Sequence, residues 1–167
     1  MPAALPIDDG PSVAATSPRS PGAPRSLAIP PRRAERLVEH FTRVALGAAF
    51  LSAVASRFGS WGGGPGRFAE FERYAAEVLA YAPAAAIPFL ARAATVAELG
   101  LGAALVLGIW RRPVALASTL LLATFGVAMG VSLGLQAPLD YSVFSAAGAA
   151  LLLALRTSAP SDDSDVP

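Results

Sequence analysis

Four stretches of this sequence are long enough and apolar enough to cross a lipid bilayer, and this feature constrains the fold more than any other. The hydrocarbon core takes about 20 helical residues. Only 15% of the 167 residues are charged, against about a quarter in soluble domains. The sequence therefore predicts an all-α fold, a bundle of four transmembrane helices at about Leu37–Phe58, Ala85–Trp110, Pro113–Leu135 and Leu139–Leu155.

A fifth helical pattern lies between the first two spans, from Phe68 to Ala82. Apolar side chains share one side, and Glu70, Arg73 and Glu77 form the opposite stripe until Pro83 stops the run. This spacing predicts an amphipathic helix. Two interpretations stay open: an interfacial helix lying on the membrane surface, and a solvent-exposed helix that covers the bundle.

The two ends of the chain are polar. Residues 1–33 are rich in proline, serine and alanine without apolar periodicity, which predicts a disordered N-terminal tail. Residues 34–156 form one membrane domain, and residues 157–167 a polar C-terminal tail. With both termini placed in the cytoplasm, nine arginines lie on the inner side and three on the outer side. The positive-inside rule therefore favours cytoplasmic termini.

Several kinds of chemistry are excluded by residue content. The chain has no cysteine, so it cannot itself supply a disulfide exchange centre, an Fe–S cluster or a thiolate nucleophile. Its one histidine is His40, so no HxxxH spacing is present, and we predict no metal site. The basic residues are dispersed, which argues against nucleic-acid binding.

Helix packing is predicted from a glycine repeat in the third span. Gly126, Gly130 and Gly134 recur every four residues and share one face. In lipid, association depends on close backbone contact, which such a face permits. The predicted partners are the small-residue faces of the first span (Ala45, Ala48, Ala49, Ser52) and of the fourth (Ser142, Ser145, Ala146, Ala149). A homodimer through this face is the secondary interpretation.

The candidate site is centred on Glu98, near the middle of the second span. A carboxylate at that depth needs a donor or a cation from another helix, or it must be protonated. Thr95 shares its face, whereas Arg92 lies about 120° away around the helix. The candidate partners across the bundle are Ser52, Ser118, Thr119, Tyr141 and Ser145, with His40 and Arg43 reaching Glu98 only if the first helix is shifted or kinked.

The role of these groups stays open at this stage. Glu98 is either a structural pin held by interhelical hydrogen bonds or a functional group that binds a quinone or substrate, handles a proton, or contacts a partner subunit. At the start of the fourth span, Asp140 is expected to act as a helix N-cap, with Tyr141 as an interfacial residue.

Two sets of residues form a recognisable pattern: Arg43, Leu46, Gly47, Phe50, Leu51 and Ser52 in the first helix, and Glu98, Gly100, Gly102, Leu107, Gly108, Arg111 and Arg112 in and after the second. This pattern resembles the DoxX family of small four-helix bacterial membrane proteins, which also takes in DoxD and MauE-like relatives. The resemblance runs from about Arg36 to Leu155. One departure is Ser52-Ala53 followed by Arg57, where the family commonly has Ser-Gly and a lysine.

The resemblance implies a bacterial inner-membrane protein associated with redox complexes. We expect an accessory or anchoring subunit, at most part of a quinone-linked oxidoreductase, with a quinone site near Glu98 and a soluble or membrane oxidoreductase subunit as its partner. No catalytic constellation lies on the chain itself. The alternatives are a small-solute permease, which would need oligomers to enclose a path, and a purely structural membrane-interaction protein.

Overall fold

The computed structural model describes residues 31–62 and 67–156, and all the regular structure in these ranges is helical. The predictions for residues 1–30 and 157–167 lie outside the described residues. The helices are α1 (Pro31–Arg57), α2 (Arg67–Val78), α3 (Ile87–Leu107), α4 (Arg111–Leu133), α5 (Gln136–Asp140) and α6 (Val143–Arg156), with a 3₁₀ turn at Ala84–Ala86 before α3.

Three of these helices are long and apolar enough to cross a membrane, namely α1, α4 and α3 with its preceding 3₁₀ turn. The fourth apolar helix, α6, has 14 residues. At 1.5 Å per residue it is about 21 Å long, less than the roughly 30 Å of a hydrocarbon core. The prediction of an all-α, multi-pass bundle is confirmed, whereas the structure supports three full-length spans and a shorter apolar helix.

The helical structure of the fourth predicted span is interrupted near its start. Gly134 ends α4 with φ 87°, and Ser142 has φ 54° after the short helix α5. The carbonyl of Ser142 accepts the first hydrogen bond of α6 from Ala146 N–H at 3.0 Å. Asp140 is the last residue of α5, so its predicted role as the N-cap of the apolar helix is wrong. The left-handed backbone at Ser142 separates the two helices.

The long helices run antiparallel, which gives the bundle two distinct ends. The turn end holds the start of α1, the end of α6 and the turn Gly108–Trp110 between α3 and α4. Gly108 has φ 74°, and its N–H donates to the carbonyls of Ala104 and Leu105. This is a left-handed cap of the kind that glycine favours. The opposite end carries α2 and α5, and it is called the cap end here because α2 covers it.

The centre of the bundle is filled by apolar side chains from α1, α3, α4 and α6. A close backbone approach joins α1 to α3: a Cβ on Gly47 would lie 2.9 Å from the carbonyl oxygen of Gly102 and 2.7 Å from Val106 Cγ2. Small residues at a crossing point let two helices approach in lipid. The core residues are Leu46, Phe50, Leu105, Val114, Ala115, Ala150, Leu153 and Ala154.

The three glycines of the predicted face differ in what they pack against. Gly126 packs against the ring of Phe144 on α6, where a Cβ would lie 2.7 Å from Cε1. A Cβ on Gly130 would make only ordinary contacts, and none of the described atoms lies within 4 Å of one on Gly134. The small-residue face of α1 predicted to pack here is exposed instead (Ala45, Ala48, Ala49, Ser52).

The amphipathic helix α2 covers the cap end of the bundle. Ala75 clusters with Ile87 and Ala91 at the start of α3, and Val78 clusters with Ala128 and Met129 of α4. Its apolar side therefore faces protein. Of the two interpretations that the sequence left open, this packing supports a helix that covers the bundle.

Candidate functional site

A buried ion pair joins α1 to α3. Arg57, the last residue of α1, places Nη2 2.9 Å from Glu98 Oε1 in a hydrogen bond and 2.8 Å from Oε2. The side chains are only 10% and 3% exposed. The predicted need of Glu98 for a cation or donor on another helix is therefore met by Arg57.

The antiparallel packing of α1 on α3 explains how a residue at the end of one helix reaches the middle of the other. Gly47 lies opposite Gly102. From that contact, Arg57 is about 15 Å along α1 and Glu98 about 6 Å along α3, at 1.5 Å per residue. A side chain on a helix leans toward the N-terminus of that helix. The long arginine side chain therefore points back into the bundle and closes the remaining gap.

Thr95 completes the hydrogen bonding around the guanidinium. Arg57 Nη1 donates to Thr95 Oγ1 at 2.8 Å, and that hydroxyl donates in turn to the carbonyl of Ala91 at 2.8 Å. Thr95 thus presents a lone pair to the cation while its own proton is used within the helix. Thr95 and Glu98 are three residues apart on one face of α3, which lets a single guanidinium contact both.

Aromatic side chains cover the pair on the side of the cap end. Arg57 Cζ lies 3.7 Å from the centroid of the Phe71 ring on α2. Phe68 contacts both Phe71 and Phe58, at centroid distances of 6.0 Å and 6.1 Å. A cation against a ring face gains about 0.5–2 kcal/mol. The covering helix α2 therefore takes part in the site.

One carboxylate oxygen of Glu98 receives no hydrogen bond from the described residues. Glu98 Oε2 is buried, and although it lies 2.8 Å from Arg57 Nη2, it is not aligned for a hydrogen bond. The carboxylate is neutralised by charge but keeps one oxygen able to accept a donor. Removing one partner of a buried pair costs about 3–5 kcal/mol, because the other charge is left without compensation. The pair is thus a strong constraint on how α1 sits against α3.

The structure brings together only two of the six residues named from sequence, Glu98 and Thr95. Arg92 lies 3.2 Å from Glu72 of α2 in a mostly exposed pair. Arg43 is buried at the turn end beside Gly108. His40 is an exposed residue of α1, one turn before Val44.

The sixth residue, Tyr141, is exposed in the break between α5 and α6. It is close enough to Tyr74 of α2 to affect its acidity: burial raises the pKa of the Tyr74 hydroxyl, and Tyr141 and Glu77 raise it further. Tyr141 therefore belongs to the surface of the cap end and not to the ion pair.

Arg57 was missed from the sequence because it was counted as a residue of the outer boundary. A signal was present, however. Leu46, Phe50 and Val54 form the buried stripe of α1, and Arg57 continues it three residues later. A cation that extends a buried apolar stripe is directed into the bundle.

No group of three or more histidine, cysteine, aspartate or glutamate side chains in residues 31–62 and 67–156 could hold a metal ion. An apolar groove between the helices has a volume of about 580 Å³. It opens sideways between α3 and α4. Its lining residues are Val96, Ala97, Gly100, Leu101, Ala117, Leu120, Leu121 and Thr124.

These features define a multi-pass helical membrane protein with an ion pair buried between two of its spans. The family model described as methylamine utilisation protein MauE matches residues 35–140, more than half of the chain, and this chain belongs to that family. The match supports the MauE-like relatives named in the sequence resemblance, and it does not show DoxX itself. No curated protein and no solved structure matches the chain.

Proposed function

We propose that this protein is an accessory, membrane-anchoring subunit of a redox system for methylamine utilisation. The observation that carries the proposal is the family match over residues 35–140, which includes two of the full-length spans completely and all but the first three residues of the other, Arg32–Arg57. The filled apolar centre of the bundle supports an anchoring role and argues against the alternative of a permease. We further propose, from the arginine distribution, that the protein lies in the bacterial inner membrane with cytoplasmic termini.

In this proposal the ion pair of Arg57 and Glu98 is a positioning element. Both terminal nitrogens of Arg57 donate hydrogen bonds, Nη2 to Glu98 and Nη1 to Thr95, and Phe71 lies against the guanidinium. This arrangement ties α1, α2 and α3 together at one point. The polar outer side of α2, with Glu70 and Arg73 exposed, would then be held in a fixed place for a partner subunit at the cap end.

A deletion strain tests the proposed role. Cells of the source organism that lack this gene should lose growth on methylamine as sole nitrogen or carbon source, and the full chain should restore it. Glucose-grown cells serve as the control. The tagged chain, purified in mild detergent from methylamine-grown cells, should retain a redox subunit. Normal growth on methylamine and normal methylamine-dependent electron flow in the deletion strain would contradict the proposal.

A quinone remains a second proposal, and the apolar groove between α3 and α4 is the observation that favours it. Its volume of about 580 Å³ lies within the range of small-molecule sites. Gly100 lines the groove two residues from Glu98, about 200° around the helix. A quinone in this groove would therefore sit on the far side of α3 from the ion pair, and not against Glu98 as the sequence suggested.

Two glycine variants separate a groove ligand from nonspecific lipid. None of the described atoms lies within 4 Å of a Cβ placed on Gly100 or on Gly148, so the Cβ of a leucine meets no clash at either position, but only Gly100 lines the groove. If quinone binds there, the purified wild type and Gly148→Leu retain it, whereas Gly100→Leu loses most of it. Equal quinone content in all three, measured in organic extracts by chromatography, would rule out the groove.

A further inference from the structure

Arg43 is a second buried arginine, and it lacks the partners that Arg57 has. Four polar or charged residues are buried in the described part of the chain. Thr95 and Ser118 each donate to a carbonyl of their own helix at 2.8 Å, and Glu98 accepts from Arg57. Arg43 is 4% exposed, and its Nε and Nη1 have no hydrogen-bond partner among residues 31–62 and 67–156. An uncompensated buried cation costs several kcal/mol, so a group that accepts hydrogen bonds from Arg43 would stabilise the protein.

The guanidinium lies against the turn between α3 and α4. A Cβ on Gly108 would be 2.9 Å from Arg43 Nη1 and 3.0 Å from Cζ. The C-terminus of α3 carries partial negative charge, which attracts a cation. Its carbonyls at Ala104 and Leu105 already accept hydrogen bonds from the turn, however. The helix end explains where the guanidinium sits but does not satisfy its donors.

The turn end as a whole is short of negative charge. Glu39, one turn before Arg43 on α1, lies 3.5 Å from Arg111 in a partly exposed pair. Only one other carboxylate, Glu35, belongs to this end among the described residues. Against these two stand seven arginines: Arg32, Arg33, Arg36, Arg43, Arg111, Arg112 and Arg156.

The backbone beside Arg43 is strained. Trp110, two residues after Gly108, has φ 41° and ψ 53°. A bulky residue in this left-handed region costs about 1–3 kcal/mol. The turn is thus held in a costly conformation against an unpaired charge. Both Nε and Nη1 of Arg43 are covered by protein atoms, and Gly108 of the turn lies against Nη1, so an incoming anion must displace the turn to reach this nitrogen.

We propose that the turn end binds a phosphate group, with Arg43 as its principal ligand. Arginine is suited to phosphate because its guanidinium offers several donors and stays charged. The group comes from the headgroup of an anionic phospholipid or from inorganic phosphate in the adjoining water. Basic pockets between transmembrane helices bind anionic headgroups in this way. Pairing the guanidinium and releasing the strained turn supply the free energy that opens the site.

The test measures thermal unfolding of the full chain, purified in neutral detergent and stripped of lipid. Three additions are compared: phosphatidylglycerol, phosphatidylcholine at the same concentration, and sodium phosphate against sodium chloride of equal ionic strength. The variant is Arg43→Gln. The matched control is Arg112→Gln, an exposed arginine of the same end whose replacement removes the same charge. Loss of tryptophan fluorescence anisotropy and of the monodisperse elution peak report unfolding.

If Arg43 binds phosphate, the midpoint of the wild type and of Arg112→Gln rises by at least about 3 °C at a saturating ligand concentration, and that of Arg43→Gln does not. A rise with phosphatidylglycerol alone assigns the lipid headgroup, and a rise with sodium phosphate assigns the free anion. Should Arg43→Gln fail to fold, Arg43→Lys is used, and its rise should be less than half that of the wild type. Equal rises in wild type and Arg43 variants, or none with either probe, would overturn the proposal.

Discussion

Breaking the pair of Arg57 and Glu98 from the arginine side should destabilise the bundle far more than breaking an exposed pair in the same chain. Arg57→Met keeps most of the side-chain volume and removes the charge. It leaves a carboxylate that is 3% exposed without its cation. The matched control is Arg92→Met, because Arg92 and Glu72 form an ion pair at 3.2 Å with side chains 64% and 26% exposed.

The structure sets bounds on both effects. Losing one partner of a buried pair costs about 3–5 kcal/mol. The carboxyl group can limit this loss by taking up a proton, which for a glutamate of ordinary acidity costs about 3.7 kcal/mol at pH 7. We therefore expect Arg57→Met to lose about 3–4 kcal/mol of the free energy of unfolding. Arg92→Met should lose about 0–1 kcal/mol, as exposed pairs do.

Proton uptake also predicts the sign of a pH effect in this variant. If Glu98 is protonated in folded Arg57→Met and ionised in the unfolded chain, the folded state binds more protons. The free energy of unfolding of the variant should then rise as the pH falls, by about 1.4 kcal/mol from pH 7 to pH 6. The wild type, in which Arg57 compensates the carboxylate, should change less over this interval.

Unfolding by SDS in mixed micelles, followed by circular dichroism, measures these free energies. Glu98→Gln should also cost about 3–5 kcal/mol, because it leaves the buried Arg57 guanidinium without a counter-charge and arginine cannot neutralise itself by losing a proton. The double variant should lose less than the sum of the single losses, with a coupling of about 1–3 kcal/mol. A loss in Arg57→Met no larger than in Arg92→Met, with additive singles, would refute the view that the buried pair holds α1 against α3.

Two further predictions concern close contacts of glycine. Gly47→Ala should cost about 1–3 kcal/mol of the free energy of unfolding, because its Cβ would lie 2.9 Å from the backbone oxygen of Gly102. The control Gly100→Ala, whose Cβ has none of the described atoms within 4 Å, should cost less than 1 kcal/mol in the same SDS titration. Equal losses would contradict the contact. Gly126→Ala should lose a similar amount of the free energy of unfolding, because its Cβ would overlap the Phe144 ring. Adding Phe144→Leu should restore part of this stability. A double variant less stable than Gly126→Ala would argue against this packing.

Much of the fold follows from local pattern. The apolar runs around Gly102 and Gly126 are long enough to be helical in any bilayer, whatever they pack against. The stripe of Glu70, Arg73 and Glu77 likewise predicted a helix, which α2 confirms. The break at Ser142 could not be predicted in this way, because a left-handed serine has no distinct sequence signature and depends on the surrounding packing.

The sequence by itself determined that Glu98 lies about a dozen residues from either end of a span. A carboxylate at that depth must be neutralised, since hydrocarbon solvates charge poorly. Only the tertiary structure decided which residue does this. Arg57 lies 41 positions away in the chain, and its reach to Glu98 depends on the contact between Gly47 and Gly102 that sets the stagger of α1 on α3. Spacing along one helix specifies which side chains share a face, but the register between helices arises from close packing that no single segment encodes.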